Sequence, residues 1–523
     1  MSGISESYTF GVSLQYFSVA AMFLSSTLFY FFLAHILPVS IVGSISLLYA
    51  IMNIGATVFM FGFSSGIQHY FSYHLARQNN NTILKLIRKT TLIGLLLASG
   101  AFMSLYVLSY NISIVFFHSS IYELSIKIIG VAIASAVMTN VFSSMLLGLN
   151  QYKKYALINI FVYTFTYFFP LFLLFIYRTA IYLIIGLAAI NTLSASIFVV
   201  FVFKYYRKLR NKDGDYEKKP YKGIIYYSIP LFFSSIMGTS ATYIDRLVVS
   251  YFINLSSLGI YNFALIVAGA SSILISPVSA LLIPKLSSFF SLDNKNDFTS
   301  SIRILLNIIS LIYIPAALGI AALSRPILYI FAGVPYEAAY IPLMIIMFVT
   351  SIFIGGNILT SGISSIRRTK IFIYSSGFAL ASNVVLSVIL IPRLNIIGAA
   401  IAYSSMNAVS FIIVYYFARK FGISNYDIAR IMRIWTASII MFLIVFLIQI
   451  YLSYSMLNII ILILLGFLVY IFEIKTFKLI SKEEMNYVLS ILPNKLGIIK
   501  YIMKNLAFQE HTRKNDKLFR FFK

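Results

Sequence analysis

Fourteen long apolar stretches divide this 523-residue chain, and its Lys and Arg side chains fall almost entirely in alternate gaps between them. Lipid offers no partner to an exposed peptide group, so apolar runs of roughly 20 residues must close their hydrogen bonds internally, as helices. With the first gap taken as external, the even-numbered gaps and the C-terminal tail hold 35 of the 40 Lys and Arg. The odd-numbered gaps and the span ends beside them hold Lys127, Arg178, Arg325 and Arg393, and Arg246 alone lies deep within a span. The positive-inside bias makes the crowded side cytoplasmic and predicts that both termini face it. The spans are expected near 10–34, 41–74, 90–117, 126–148, 154–177, 180–203, 225–251, 258–283, 300–323, 340–362, 371–391, 395–418, 431–452 and 456–474. The expected fold class is an all-α polytopic membrane protein with 14 transmembrane helices in the plasma membrane.

Composition removes several other readings. A chain that is 60% hydrophobic and only 11% charged is not an ordinary soluble domain. Its net charge of +25 sits on membrane-flanking loops. It therefore reads as topology and attraction to anionic inner-leaflet lipids, not as a nucleic-acid footprint. With no cysteine there is no disulfide, no thiol chemistry and no Cys-ligated metal. No Lys or Arg precedes Arg77, so the first apolar run lacks the basic start of a signal peptide and reads as a retained helix.

Internal similarity organises the chain. ILPVSIVGSISLLYA parallels FINLSSLGIYNFALI, matching Gly43 to Gly259; GLNQYKKYA parallels GISSIRRTK; and the segment at Asn191 parallels the one at Asn407. The offsets of 216, 214 and 216 residues agree on one repeat of six spans. An even number of crossings gives both copies the same orientation, related by an axis along the membrane normal. This predicts two pseudo-symmetric six-helix lobes at 1–203 and 223–420, a basic linker at 204–222 and two added spans within 421–475. A basic tail follows at 476–523. In it Ser481 and Glu484 make a capping-box pattern ahead of Met485, Val488, Leu489 and Leu492, the signature of an amphipathic helix on the inner leaflet, with a cytoplasmic partner site as the alternative. The second span is too long for one straight crossing, and its GFSSG segment, with Gly62 and Gly66, predicts a bend or a helix protruding into the cytoplasm.

Charge inside the spans is scarce. Of fifteen acidic residues only Asp245 lies well within one, beside Arg246. Each such group costs about 2.5–3.5 kcal/mol in lipid even on the mildest scale, so both should face a wet cavity or a partner. Neighbours on a helix point ~100° apart, which argues against their pairing directly and for separate partners. They are either a structural ion pair or a headgroup site, with Arg246 on an anion and Asp245 orienting it or taking a proton. His69, beyond the glycine break, is a titratable donor for phosphate. Gln15, Gln68, Asn140, Asn159, Asn191, Asn262, Asn357, Asn383 and Asn407 are further polar groups within spans, and such residues more often bind helices together than bind ligands. Gln68, Asn262 and Asn357 complete the candidate site. Asp213-Gly-Asp215 resembles a glycosyltransferase metal triplet, but its linker is too short to hold a nucleotide-sugar domain. There is no Gly-rich phosphate loop and no His/Glu metal cluster, so neither an enzyme nor a cofactor is expected.

With these segments in view, the chain resembles the polysaccharide flippases of the multidrug/oligosaccharidyl-lipid/polysaccharide exporter superfamily. The resemblance rests on YIDRLVVSYFINLSSLGIYNFALI (243–266), SPVSALLIPKLSSFF (276–290), LAHILPVSIVGSISLL (33–48), GFSSGIQHYFS (62–72) and the basic turns GLNQYKKYALIN and SGISSIRRTKIFI. It implies a two-lobed fourteen-helix fold that moves lipid-linked oligosaccharides from the cytoplasmic to the outer face by alternating access, with the prenyl tail along the last two spans. Glycosyltransferases are expected partners. Where such flippases often carry Arg near Gln68–Phe71 this chain has His69 and Tyr70, which leaves monophosphate and diphosphate carriers both open. The alternatives are a multidrug cation antiporter of the same superfamily, disfavoured by a single intramembrane acid, and a non-transport scaffold for glycan-synthesis enzymes.

Overall fold

In a computed structural model of the chain, the described residues are 21–209, 220–275, 286–287, 289–290, 295–366, 368–423 and 427–481. Among them the structure is helical, joined by short turns and 3-10 segments, with no β-strand element. Gln15, Asp213, Asp215, Arg367, residues 276–285 of the resemblance and the tail helix at Glu484–Leu492 lie outside the described residues.

The described part of each apolar stretch is helical apart from short breaks, as at Phe61–Gly62 and Phe353–Ile354. The elements are α1 (Ala21–Ile36), α2 (Val39–Met60), α3 (Phe63–Ala76), α4 (Asn80–Phe117), α5 (Glu123–Gly148), α6 (Tyr152–Tyr177), α7 (Ala180–Leu209), α8 (Pro220–Phe252) and α9 (Leu255–Ala270). They continue as α10 (Lys295–Ala322), α11 (Ser324–Ala332), α12 (Tyr340–Ile352), α13 (Gly355–Ser365), α14 (Lys370–Lys420), α15 (Ile428–Tyr451) and α16 (Met456–Thr476). Eleven helices among the described residues are long and apolar enough to span a membrane, and α1 and α9 are shorter apolar helices. α14 carries two of the expected spans. Asn395 leaves the helical region at φ 51°, ψ −135°, and a Cβ on Gly398 would strike the backbone of Leu390 and Ile391. Eight residues along a straight helix would lie about 12 Å apart, so the chain doubles back here as a helical hairpin.

The bend expected in the second span falls at Phe61 and Gly62, which take left-handed φ of 51° and 66° in succession and separate α2 from α3. Glycine adopts that conformation freely and Phe61 does so at a cost. The linker region is more helical than expected, because α7 continues to Leu209 and α8 starts at Pro220. Pro fits a first helical turn, where its missing N–H has no intrahelical partner to lose. Two of the four basic residues in the sparsely charged gaps are neutralised locally, Lys127 by Glu123 at 2.6 Å and Arg325 by Glu337.

Packing divides the chain into two compact units, Met1–Asn262 with Ala379–Tyr403, and Phe263–Phe378 with Ser404–Lys523. In the first, α5 is the centre, with α2, α3, α4 and α7 against it, and α8 lies along α2 and α3. In the second, α10 is the centre, carrying α12, α13, α15 and α16, and the Tyr470 hydroxyl donates to Leu311 O at 2.9 Å. The internal repeat reflects similarity of sequence, whereas these units reflect packing, and α8 with the middle of α14 packs among the N-terminal helices.

Small residues set how closely helices approach in the first unit. Gly43 meets the Leu255 carbonyl and Gly259, and Gly259 meets Val39 O, so α2 and α9 touch backbone to backbone. Gly43→Leu should therefore force the two apart and cost about 1–3 kcal/mol. The check is a lower melting temperature of the purified protein in detergent, with the same chain length and less monodisperse material.

Candidate functional site

Asp245 and Arg246 are placed by α8. Helical spacing turns the Asp245 carboxylate inward, where it is fully buried, while the Arg246 side chain stays 12% exposed. The Tyr261 hydroxyl, brought in by α9, donates to Asp245 Oδ2 at 2.6 Å and lies 3.4 Å from Ala399 O on α14. The other carboxylate oxygen, Oδ1, has no hydrogen bond and is approached by Arg246 Nη1 at 3.8 Å. The sequence argument against direct pairing needs correction here. The long guanidinium stem curls back one turn, donating Nη1–H to Thr242 O at 2.8 Å, and this brings the charge round to its neighbour. Each residue also has the separate partner expected of it.

Tyrosines surround the guanidinium. It lies over the Tyr243 ring, 4.6 Å from the centroid, a cation–π arrangement. Tyr30 from α1 neighbours Arg246, Tyr243, Tyr167 and Asn262. Tyr49 from α2 neighbours Tyr30 and Tyr167, and Tyr403 neighbours Arg246. Phe29 backs the group, 5.5 Å from Tyr167 and 6.4 Å from Tyr49. Asn262 is buried and its amide nitrogen has no hydrogen-bond partner. One turn from Asp245, Asn383 Nδ2 donates to Ala241 O at 2.6 Å and Ser387 donates to Asn383 Oδ1 at 2.9 Å, which pins α14 to α8. Asn383 acts as the interhelical bond that its sequence position suggested.

Chemically, this is one cation held by one carboxylate inside an aromatic shell. A guanidinium has five N–H donors, and among the described residues only Thr242 O accepts a hydrogen bond from Arg246. The remaining donors suit a phosphate or carboxylate, in the fork geometry that makes Arg the preferred residue for such anions. The tyrosine faces suit sugar rings, which present C–H groups to an aromatic surface.

Within the first unit the structure brings Asp245, Arg246 and Asn262 together and places Gln68 and His69 elsewhere. His69 and Gln68 are exposed on α3, and His69 stacks on Tyr227 with centroids 4.6 Å apart and planes 5° apart. Tyr227 precedes Asp245 by eighteen residues of α8, about 27 Å along the axis. His69 therefore adjoins a part of α8 well removed from Arg246. Asn357 is exposed on α13 in the other compact unit. Sequence reasoning missed Tyr261 and the tyrosine shell. Tyr261 stood inside the quoted Leu-Gly-x-Tyr turn, but among 38 tyrosines nothing local set it apart.

Fold and site together define a multi-pass α-helical membrane protein with a charged polar centre built into its spans. A family model described as polysaccharide biosynthesis protein matches residues 12–290. The chain belongs to this polysaccharide biosynthesis family. A capsular polysaccharide biosynthesis protein, CapF of Staphylococcus aureus, is 26% identical over 231 residues, covering 42% of this chain and 55% of that protein. The match thus spans about half the length of that curated relative. Among solved structures, the lipid II flippase MurJ in an inward closed conformation superposes with a TM-score of 0.69 at 18% identity, covering 91% of this chain and 99% of that one. An inward-facing multidrug resistance MATE transporter gives 0.62 at 15% identity, covering 76% and 94%. A transporter of the same superfamily from Pyrococcus furiosus, described as having a binding pocket of reverse polarity, gives 0.55 at 15% identity, covering 82% and 95%. At these identities the likeness establishes the shared fold.

Proposed function

We propose that this chain is a transporter, not an enzyme, which moves a polyprenyl-phosphate- or diphosphate-linked oligosaccharide from the cytoplasmic to the outer face of the plasma membrane by alternating access. One observation carries the reading: a guanidinium with uncommitted donors, held within the spans by Asp245 and Tyr261 and walled by Tyr30, Tyr167 and Tyr243. Arg246 takes the lipid phosphate, the tyrosine faces take the first sugars, and Asp245 orients the guanidinium and balances its charge when the site is empty. Membership of a polysaccharide biosynthesis family and a flippase-like fold support the same assignment. Both termini lie on the basic, cytoplasmic side in this reading. There the tail meets anionic lipid, and glycosyltransferases deliver the glycolipid.

Organic-cation exchange is the competing reading, because multidrug transporters share the fold. The site opposes it. Its buried acid is capped by Tyr261 and faces Arg246, which leaves a bound cation no free carboxylate and one repelling charge. Proteoliposomes containing the purified chain should translocate a fluorescent lipid-linked oligosaccharide well above protein-free vesicles and leave a cationic dye in place. Dye movement without glycolipid movement would overturn the assignment.

A further inference from the structure

We propose that one face of α6 is a carbohydrate track, on which Tyr155, Tyr163 and Tyr167 hold the sugars beyond the first in a glycolipid bound at Arg246. This rests on the transport reading and deepens it, giving a place to the part of the headgroup that a guanidinium cannot reach.

Register sets out the track. Tyr155, Asn159, Tyr163 and Tyr167 recur at every fourth position of α6, so each stands about 6 Å in axial rise and ~40° of turn from the last. Together they make one slowly winding strip about 18 Å long. It starts beside the basic pair Lys153 and Lys154, at the opening turn of the helix.

The aromatic residues of α6 are also sorted by chemistry. Between residues 155 and 168 every tyrosine is half-buried, whereas Phe161, Phe165 and Phe168 are all exposed. Rings with a hydroxyl take the inner face and hydrocarbon rings the outer one, where the Phe161 and Phe165 centroids lie 4.4 Å apart. Packing alone would be served as well by phenylalanine, and a tyrosine turned into a protein normally finds a partner for its hydroxyl. Among the described residues the hydroxyls of Tyr163 and Tyr167 have no such partner. Asn159, between Tyr155 and Tyr163 in the strip, is buried with its amide nitrogen unpartnered.

The strip is continuous with the guanidinium, and all of it lies within the first compact unit. Tyr163 neighbours Tyr155, and Tyr167 neighbours both Tyr163 and Tyr243. The Tyr243 ring in turn carries Arg246, 4.6 Å from its centroid. A row of phenol groups therefore runs from the basic end of α6 to the charge. Sugars suit such a row, because they present C–H faces to aromatic rings and hydroxyls to hydroxyls. A prenyl or acyl chain does not, since it offers the phenolic hydroxyls nothing. With the phosphate on Arg246, the glycan trails along α6 toward the basic side.

A single tryptophan, Trp435, makes a local reporter simple to place. Trp435→Phe is combined in the full-length chain with Tyr155→Trp, with Tyr163→Trp or, on the outer face, with Phe168→Trp. Each is purified in nanodiscs and given polyprenyl diphosphate bearing a pentasaccharide, one sugar or none, with binding followed by a radiolabel on the carrier. The pentasaccharide carrier should slow acrylamide quenching at positions 155 and 163 at least threefold and leave position 168 unchanged. The one-sugar and bare carriers should leave all three positions unchanged. A bound pentasaccharide carrier that shields neither 155 nor 163, or that shields 168 equally, would overturn the track and leave the substrate assignment standing. So would a bare carrier that shields the strip as well as the pentasaccharide does. Failure of every carrier to bind would overturn both.

Discussion

Arg246→Gln should slow translocation of a lipid-linked oligosaccharide in proteoliposomes by about a hundredfold at unchanged protein yield. Glutamine keeps the length and a donor but removes the charge that a phosphate needs. Charge-assisted hydrogen bonds contribute about 1.5–3 kcal/mol each, and 2.7 kcal/mol is roughly a factor of 100 in rate. The substitution also leaves the Asp245 carboxylate, fully buried with Oδ1 unbonded, without the only cation near it among the described residues. An anionic headgroup then meets a bare negative charge where it formerly met a balanced pair. Lysine should recover part of the loss, because it restores the charge but not the planar fork. Equal flipping by wild type and Arg246→Gln would remove this residue from the transport path.

Asp245→Asn should act in the opposite sense on binding and in the same sense on turnover. The amide oxygen still accepts from Tyr261, so the α8–α9 contact survives. The guanidinium, however, loses its resident counter-ion in a setting where an unpaired charge costs about 3–5 kcal/mol. An anionic headgroup supplies that counter-ion and is then released slowly. Apparent affinity for a short-chain glycolipid, measured by tryptophan or label fluorescence, should rise on the order of tenfold while the maximal flipping rate falls by a similar factor. A variant that binds and flips as wild type would make Asp245 a structural residue only. If Asp245 also carries a coupling proton, the pH dependence of flipping should flatten in this variant. Retention of the full pH profile would end that role.

The helices were legible because lipid allows a chain no other backbone solution, so each apolar stretch had to become helix. The bend was legible because a span of that length with GFSSG inside it has to break. The doubled α14 was read as two spans, and the turn at Asn395 accounts for both. The site was half legible. Asp245 and Arg246 announced themselves by cost, since charge in a membrane helix demands a reason, and Asn262 stood among the polar groups within spans. Tyr261 did not, because a tyrosine in a membrane protein is ordinary until its hydroxyl is seen on a carboxylate. The place of His69 relative to Arg246 was not legible, because the sequence says nothing of distance across a helix break. The ~27 Å between Tyr227 and Asp245 is a matter of axial rise, and only the ring stack revealed which part of α8 His69 adjoins.

The left-handed pair at Phe61 and Gly62 also decides what the first unit tolerates beside it. A side chain at Gly62 would have to hold a conformation that costs L-residues about 1–2 kcal/mol, and its Cβ would fall 2.6 Å from Ser228 O. Break and close approach are thus one feature: the residue that ends α2 is also the one that lets α8 come so near.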